Sequence, residues 1–373
     1  MTTTRYPVYI KFTSILLGII LVLFVMIQAK SVLVPLLISG LLAVLISPFT
    51  SWMERHKVPS VLAVTVSVVA LLAIIGGLFF FFYNQLLGFA QDISYLEKRA
   101  SELVNDLNVF IESYFEAAVP ISMSQIKDVS FDYLSENVMS LTQGIMATAA
   151  TITMLFIIPV YIFLFLYFRR FLVSFVLKAF GDSNKERVSK IIHNVQIVVK
   201  NYIIGMFIVI CILAILNTGL LYSFGIQHAL LFGVFAAMLN VIPFLGPFIG
   251  SALPITYALL TKDSLWYPFG ILLGFYVIQL FESNLFTPRI VGGKVSMNPL
   301  MTIIALFTGY FIWGVVGMIL FIPGLAILKV IFDEVPGMEP YGYLLGNVKK
   351  DSNKPKVPLK ERIEKVKSKV FNK

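Results

Sequence analysis

The chain has 373 residues, 58% of them hydrophobic and only 13% charged, and its mean hydropathy is +0.88. Soluble domains carry about 25% charged residues, so a disordered, collagenous or ordinary cytosolic protein is excluded and a polytopic helical membrane protein remains. The net charge of +9 is uneven: residues 349–373 hold ten Lys/Arg and three Asp/Glu.

A hydrocarbon core about 30 Å thick takes roughly 20 apolar residues as helix. On that criterion spans are predicted near 12–29, 32–49, 60–83, 146–168 and 201–224. Arg5 and Lys11 precede the first run as they would in a signal peptide, but no small-x-small cleavage site follows and a second apolar run begins at once. The first run therefore reads as an anchor.

Loop charges set the expected orientation through the positive-inside rule. Residues 84–145 carry three basic and nine acidic residues and are expected outside. Residues 169–200 carry seven basic and two acidic residues and are expected inside, with both termini. The lysines of the tail suit either solvent or an anionic lipid surface.

Leu86, Phe89, Ile93, Leu96, Ala100, Leu103, Leu107, Phe110 and Tyr114 alternate at spacings of three and four, an unbroken heptad seam. With Pro120 as its end and a second helix over 124–145, this predicts an external helical hairpin. Its seam needs a partner, either the return helix or a neighbouring subunit. On the inner side, Ser183 and Glu186 form a capping box. Val188, Ile191, Ile192, Val195, Val198 and Val199 follow, predicting an amphipathic interfacial helix that leads into the fifth span.

Residues 229–261 and 300–332 are each 33 residues long and carry one charge between them, Lys329. As straight helices they would be about 50 Å long, more than a hydrocarbon core needs. The first contains Asn240, Pro243, Gly246, Pro247, Gly250 and Pro254; the second contains Gly309, Gly314, Gly317, Pro323 and Gly324. An interior Pro removes a helix hydrogen bond, and backbone groups so freed are tolerated at membrane depth only inside protein or against water. Two readings stand for the first run. It is a discontinuous or re-entrant helix whose half-helix ends hold a polar solute or ion, or a kinked span with Gly246 and Gly250 as packing notches.

Between these runs lies the apolar stretch 265–281, followed by Glu282, Ser283, Asn284 and Pro288. Gln279 and Glu282 share a helix face. Glu282 is a candidate proton or cation site or an ion-pair partner of Arg289 or Lys294. One cysteine, Cys211, and three scattered histidines supply no disulfide and no metal-ligand spacing. No catalytic or phosphate-binding motif stands out, so the chain reads as a non-enzyme with no metal or cofactor.

The residues as they stand resemble the autoinducer-2 exporter (AI-2E) family. Leu239-Asn240-x-Ile242-Pro243-x-x-Gly246-Pro247-x-x-Gly250 is similar to its first signature. Asn284-x-x-x-Pro288-x-Ile290-Val291-Gly292 with Asn298-Pro299-Leu300 resembles its second block, and Gly314-x-x-Gly317-Met318-x-x-x-x-Pro323 its third. Where many members carry His before the second block's Pro-Leu, this chain has Asn298. The resemblance covers residues 200–335 in order and spacing, and the N-terminal spans by length and hydropathy.

It implies a multipass inner-membrane exporter of small polar solutes, autoinducer-2 being the archetype, assembled as a homo-oligomer, a pentamer. Some relatives are assigned cation/proton antiport. The expected fold is therefore all-α, with about eight spans, discontinuous or re-entrant helices in the C-terminal half and an extramembrane helical hairpin. The parts are a three-span region (1–83), the acidic hairpin (84–145), a fourth span with cytoplasmic helix (146–200), a transport core (201–335) and a basic tail (336–373). Expected substrate-binding residues are Asn240, Pro243, Gly246, Pro247, Gly250, Asn284, Pro288, Gly314 and Gly317, with Glu282 for ion coupling. The expected partners are a small polar solute, the lipid bilayer and further copies of the chain, with no nucleic acid. The alternatives are a sodium/proton antiporter using Glu282 and a structural or regulatory membrane protein.

Overall fold

A computed structural model describes residues 7–114, 149–181, 184–243, 245–291 and 297–347. The return helix expected over 124–145, Ser183 of the capping box, Gly292 to Lys294 and the tail beyond residue 347 lie outside the described residues. Among the described residues all regular structure is helical apart from one bridge between Met297 and Gly346.

Helices α1 (Val8–Gln28) and α2 (Lys30–Arg55) are separated by Ala29 alone. Most of the large apolar side chains of α1 are exposed, an all-apolar surface suited to lipid. Helix α2 packs with α3 (Ser60–Tyr114) and α4 (Ala149–Tyr167) around Ala43, Val64, Val68, Leu71, Ile162 and Leu166. Polar groups inside this apolar layer are paired, as their burial demands. Ser67 Oγ donates to Ala63 O at 2.7 Å and accepts from Thr50 Oγ1 at 2.8 Å, and Ser39 Oγ donates to Ile158 O at 3.2 Å. Helix α5 (Arg169–Ala179) leaves α4 at 64°, and Glu54 at the end of α2 pairs with both Arg169 and Arg170 at that bend.

Helix α6 (Lys185–Ser223) is unbroken over 39 residues, which at 1.5 Å per residue is about 58 Å. The amphipathic helix and the fifth span expected from the sequence are thus one rod. Val188, Val198 and Val199 on its apolar stripe are buried within the protein, a different use of that stripe from the membrane seating its pattern suggests.

The run 229–261 is broken. Helix α7 (Ala229–Leu239) and helix α8 (Leu245–Thr261) are joined through Asn240 and Pro243 and fold against each other. At 11 and 17 residues, they measure about 16 and 25 Å, each short of a 30 Å hydrocarbon core. The helix is discontinuous rather than a kinked span, and its glycines serve as packing notches between the two halves. A Cβ on Gly250 would lie 2.8 Å from Ala236 Cα, and one on Gly246 would run into the carbonyl of Leu239.

Helix α9 (Trp266–Phe281) continues through a π-helical turn (Glu282–Phe286) into α10 (Thr287–Ile290). The segment after residue 281 is therefore helical for nine more residues. Helix α11 (Pro299–Glu334) is folded in two at Gly314, whose φ of 65° and ψ of −145° only glycine adopts readily. The halves close so tightly that a Cβ on Gly309 would sit 2.5 Å from Gly317 O. Trp313 at this fold donates to Met26 O of α1 at 2.8 Å and meets the Phe321 ring edge-on. Helix α12 (Glu339–Leu345) follows, with Leu345 O accepting from Asn298 N at 2.9 Å.

By length and apolarity, five described helices can cross a bilayer, or six if the bent α4–α5 pair counts as one. The count of about eight is not confirmed: the apolar part of α1 (Phe12–Gln28), α7 and α8 are shorter than a full span. The discontinuous helices expected in the C-terminal half are present, α7–α8 as two short helices and α11 as one helix folded back at Gly314.

Helix α3 carries the heptad seam as a continuation of its span, with no break between the two. Leu96 and Ala100 on the seam are buried. Leu96 belongs to a core with Leu221, Phe232, Tyr257, Ile271 and Phe275, and Phe89 packs against it. This part of the seam covers the foot of the α7–α8 hairpin, a surface neither of the two expected partners named.

Candidate functional site

Helices α6, α7, α8 and α9 line an open cavity of about 260 Å³. Its polar lining consists of Asn217 from α6, Asn240 from the hairpin tip, Ser251 from α8, and Tyr276 and Gln279 from α9. Leu213, Ala236, Pro247, Phe248 and Phe275 are among its apolar walls, and no charged side chain lines it. An apolar cleft with a few convergent amides and hydroxyls suits a small, uncharged, polar ligand.

Local chemistry explains how each group arrives there. Pro243 has no N–H to continue the helix, and the chain turns with Ile242 N bonded to Leu239 O at 2.8 Å and Gly246 N bonded to Ile242 O at 2.9 Å. This places Asn240 and Pro247 on either side of the turn, both on the cavity wall. Ser251 Oγ donates to Phe248 O at 3.1 Å. Asn217 is 4% exposed, and its Oδ1 is buried with no hydrogen-bond partner among the described residues.

Glu282 stands just behind the wall. It is 9% exposed and begins the π-helical turn. Its Oε2 accepts from Gln279 Nε2 at 2.7 Å, and its Oε1 accepts from Thr287 Oγ1. The extra residue of a π turn re-aims side chains relative to an α-helix, here bringing Thr287 back to the carboxylate five positions earlier. Among the described residues Glu282 makes no ion pair, so the pairing with Arg289 that the sequence allowed is not formed.

The structure brings Asn240 and Pro247 to the cavity and places Glu282 one hydrogen bond behind it. Pro243, Gly246 and Gly250 build the hairpin without lining the space. Asn284 and Pro288 are exposed beyond α9, with Asn284 Nδ2 donating to Leu280 O at 2.8 Å. Gly314 and Gly317 form the fold of α11 and do not line the cavity. Asn298 caps α11, its Oδ1 accepting from Leu300 N at 3.0 Å. Sequence reasoning missed Asn217, Ser251 and Tyr276, and placed Gln279 beside Glu282 without a role. Asn217 had a signal: with Thr218 it interrupts the apolar run of the fifth span, where polar groups are costly.

The AI-2E family transporter model matches residues 14–337, nearly the whole chain. The chain belongs to the AI-2E transporter family. It is 26% identical over 325 residues to "Putative transport protein YrrI" of Bacillus subtilis (strain 168), covering 81% of this chain and 86% of that protein. It is 25% identical to a Haemophilus influenzae protein of the same general description, covering 89% and 96%. Identity to the AI-2 transport protein TqsA of Escherichia coli (strain K12) is 24%, covering 90% and 96%. Membership makes this a multipass membrane transport protein, and the residues around Asn240 that carry the resemblance are those that break α7 from α8.

Proposed function

We propose that this protein exports small polar solutes across the bacterial inner membrane through the cavity between the α7–α8 hairpin, α6 and α9. The observation that carries the reading is the cavity itself: uncharged amides and hydroxyls converge at the tip of a broken helix in an otherwise apolar wall. TqsA, named for AI-2 transport, makes an autoinducer-2-like solute the first candidate substrate. The proposed assembly is a homo-pentamer with one cavity per protomer, both termini cytoplasmic and residues 84–145 outside. The test is efflux from proteoliposomes holding the purified protein and a mixture of small neutral metabolites. Asn240→Ala should lower the efflux rate about tenfold, the scale of one lost hydrogen bond of about 1.4 kcal/mol. Unchanged efflux would remove Asn240 from the site. Native mass measurement of the detergent-solubilised protein should give five copies.

A second reading, sodium/proton antiport, is favoured by one observation: Glu282 is a buried carboxylate without an ion-pair partner among the described residues. Sodium-driven proton flux in the same vesicles, abolished by Glu282→Gln while solute efflux persists, would select it.

A further inference from the structure

We infer that Asn217 and Gln279 are the ligand-contacting pair of the cavity, and that Glu282 positions Gln279 so the site offers acceptors to a neutral, hydrogen-bond-donating solute. The inference rests on the transport reading and deepens it.

The orientation of Gln279 follows from elementary hydrogen-bond rules. An ionised carboxylate only accepts, whereas a glutamine amide has one donating and one accepting end. Both oxygens of Glu282 are engaged by donors, Oε1 by Thr287 and Oε2 by Gln279 Nε2. The amide nitrogen of Gln279 is thereby committed to Glu282. Its oxygen is left as the other end of a side chain that lines the cavity. On the α6 wall of the same cavity, Asn217 has a buried Oδ1 with no partner among the described residues. A buried unpaired acceptor is a cost to folding that native structures seldom keep without a use. Gln279 thus turns an amide oxygen away from Glu282, and Asn217 holds its own unsatisfied oxygen inside the wall, where a turn of the amide brings it to the cavity. This pair calls for a ligand that supplies donors, such as a polyol. The carboxylate behind Gln279 sits in a low-dielectric wall where its field is weakly screened, which disfavours an anion in the same space.

Sign of effect separates this role from a structural one. Replacing Asn217 by Leu removes an unpaired polar atom and keeps side-chain bulk, so the folded state should be as stable as before or more so, while transport falls. A residue kept for folding would lose both together.

The experiment uses the full-length protein in proteoliposomes, with radiolabelled xylitol as the neutral donor-rich probe and lactate as the anionic probe. Thermal stability of each purified variant is recorded alongside. Wild type should carry xylitol and not lactate. Asn217→Leu and Gln279→Leu should each lower xylitol flux at least tenfold with an unchanged or raised melting temperature. Glu282→Gln frees the Gln279 amide to turn over, and should raise the KM for xylitol about tenfold with little change in maximal rate. Xylitol flux at the wild-type level in Asn217→Leu or Gln279→Leu overturns the inference, as does a loss of flux accompanied by a fall in melting temperature. Lactate flux without xylitol flux in the wild type overturns the ligand class while leaving the transport reading standing. No flux of either probe or of the neutral metabolite mixture defeats the transport reading and this inference with it.

Discussion

At the residue scale, three glycines separate packing from conformation. Gly18 in α1 has open space where a Cβ would go. Gly18→Ala should stabilise the protein, since alanine is favoured over glycine in a helix by about 1 kcal/mol. Gly246 has backbone there, the Leu239 carbonyl, and backbone cannot swing away as a flexible side chain does. Gly246→Ala should destabilise by about 1–3 kcal/mol through overpacking. Gly314 has space but a positive φ with extended ψ, so Gly314→Ala should cost about 1–3 kcal/mol in backbone strain alone. Melting temperatures of the three purified variants check this: one rise and two falls. An unchanged melting temperature in Gly246→Ala would mean that the α7–α8 contact is looser than described. The signature glycines were legible in the sequence as features of a broken helix. Which of them turned the chain and which let two helices touch was not, because both demands select the same residue.

At the scale of elements, the C-terminal length of α3 is a strut on the α7–α8 hairpin. Leu96 sits in the same core as Tyr257 and Phe232. Farther round the helix, Asp92 bonds His228 at 2.7 Å, His228 lies edge-on to Phe89 and Phe232, and Arg99 meets Asp263 at 3.1 Å. These contacts differ in weight. Asp263 is 98% exposed, and exposed pairs hold little net energy because solvent and side-chain entropy offset the attraction. Leu96→Ala empties a buried site and should cost about 2–5 kcal/mol. Asp263→Ala should leave the melting temperature unchanged, and Asp92→Ala should fall between, since it strips a mostly buried imidazole of its partner. Equal effects from Leu96→Ala and Asp263→Ala would show that charge, not packing, docks the strut. The heptad pattern located the buried positions Leu96 and Ala100 of α3 from spacing. It did not name the partner, because a periodic stripe records that a face is covered and carries no information about what covers it. The same limit explains α6: its apolar stripe was visible at Val188 to Val199, and that Val188, Val198 and Val199 are buried inside the protein was not.

At the scale of the whole molecule, α6 sets the arrangement of the two folded segments. Near its start, Lys190 pairs with Glu334 at 3.0 Å, beside the end of α11. Just beyond its far end, His228 and the opening of α7 meet the C-terminal part of α3, and Asp263 after α8 meets Arg99. The foot of the α7–α8 hairpin and the end of the doubled α11 therefore lie at opposite ends of one 39-residue rod. Loop charges had given the two ends opposite signs: acidic beyond residue 84, basic over 169–200. The ion pairs sort residues into the same two groups without reference to net charge. Hydropathy could not reveal the doubling itself, since a run of apolar residues reads alike whether it crosses or returns. Thiol labelling of intact cells resolves which end faces out, in a Cys211→Ser background that removes the native cysteine. Asp263→Cys should react with an impermeant maleimide added outside, while Arg187→Cys should react only after the cells are opened. If both sites label from outside, α6 does not cross the membrane and the two-ended arrangement fails. If the pattern is reversed, the arrangement stands and the positive-inside assignment of orientation is what falls.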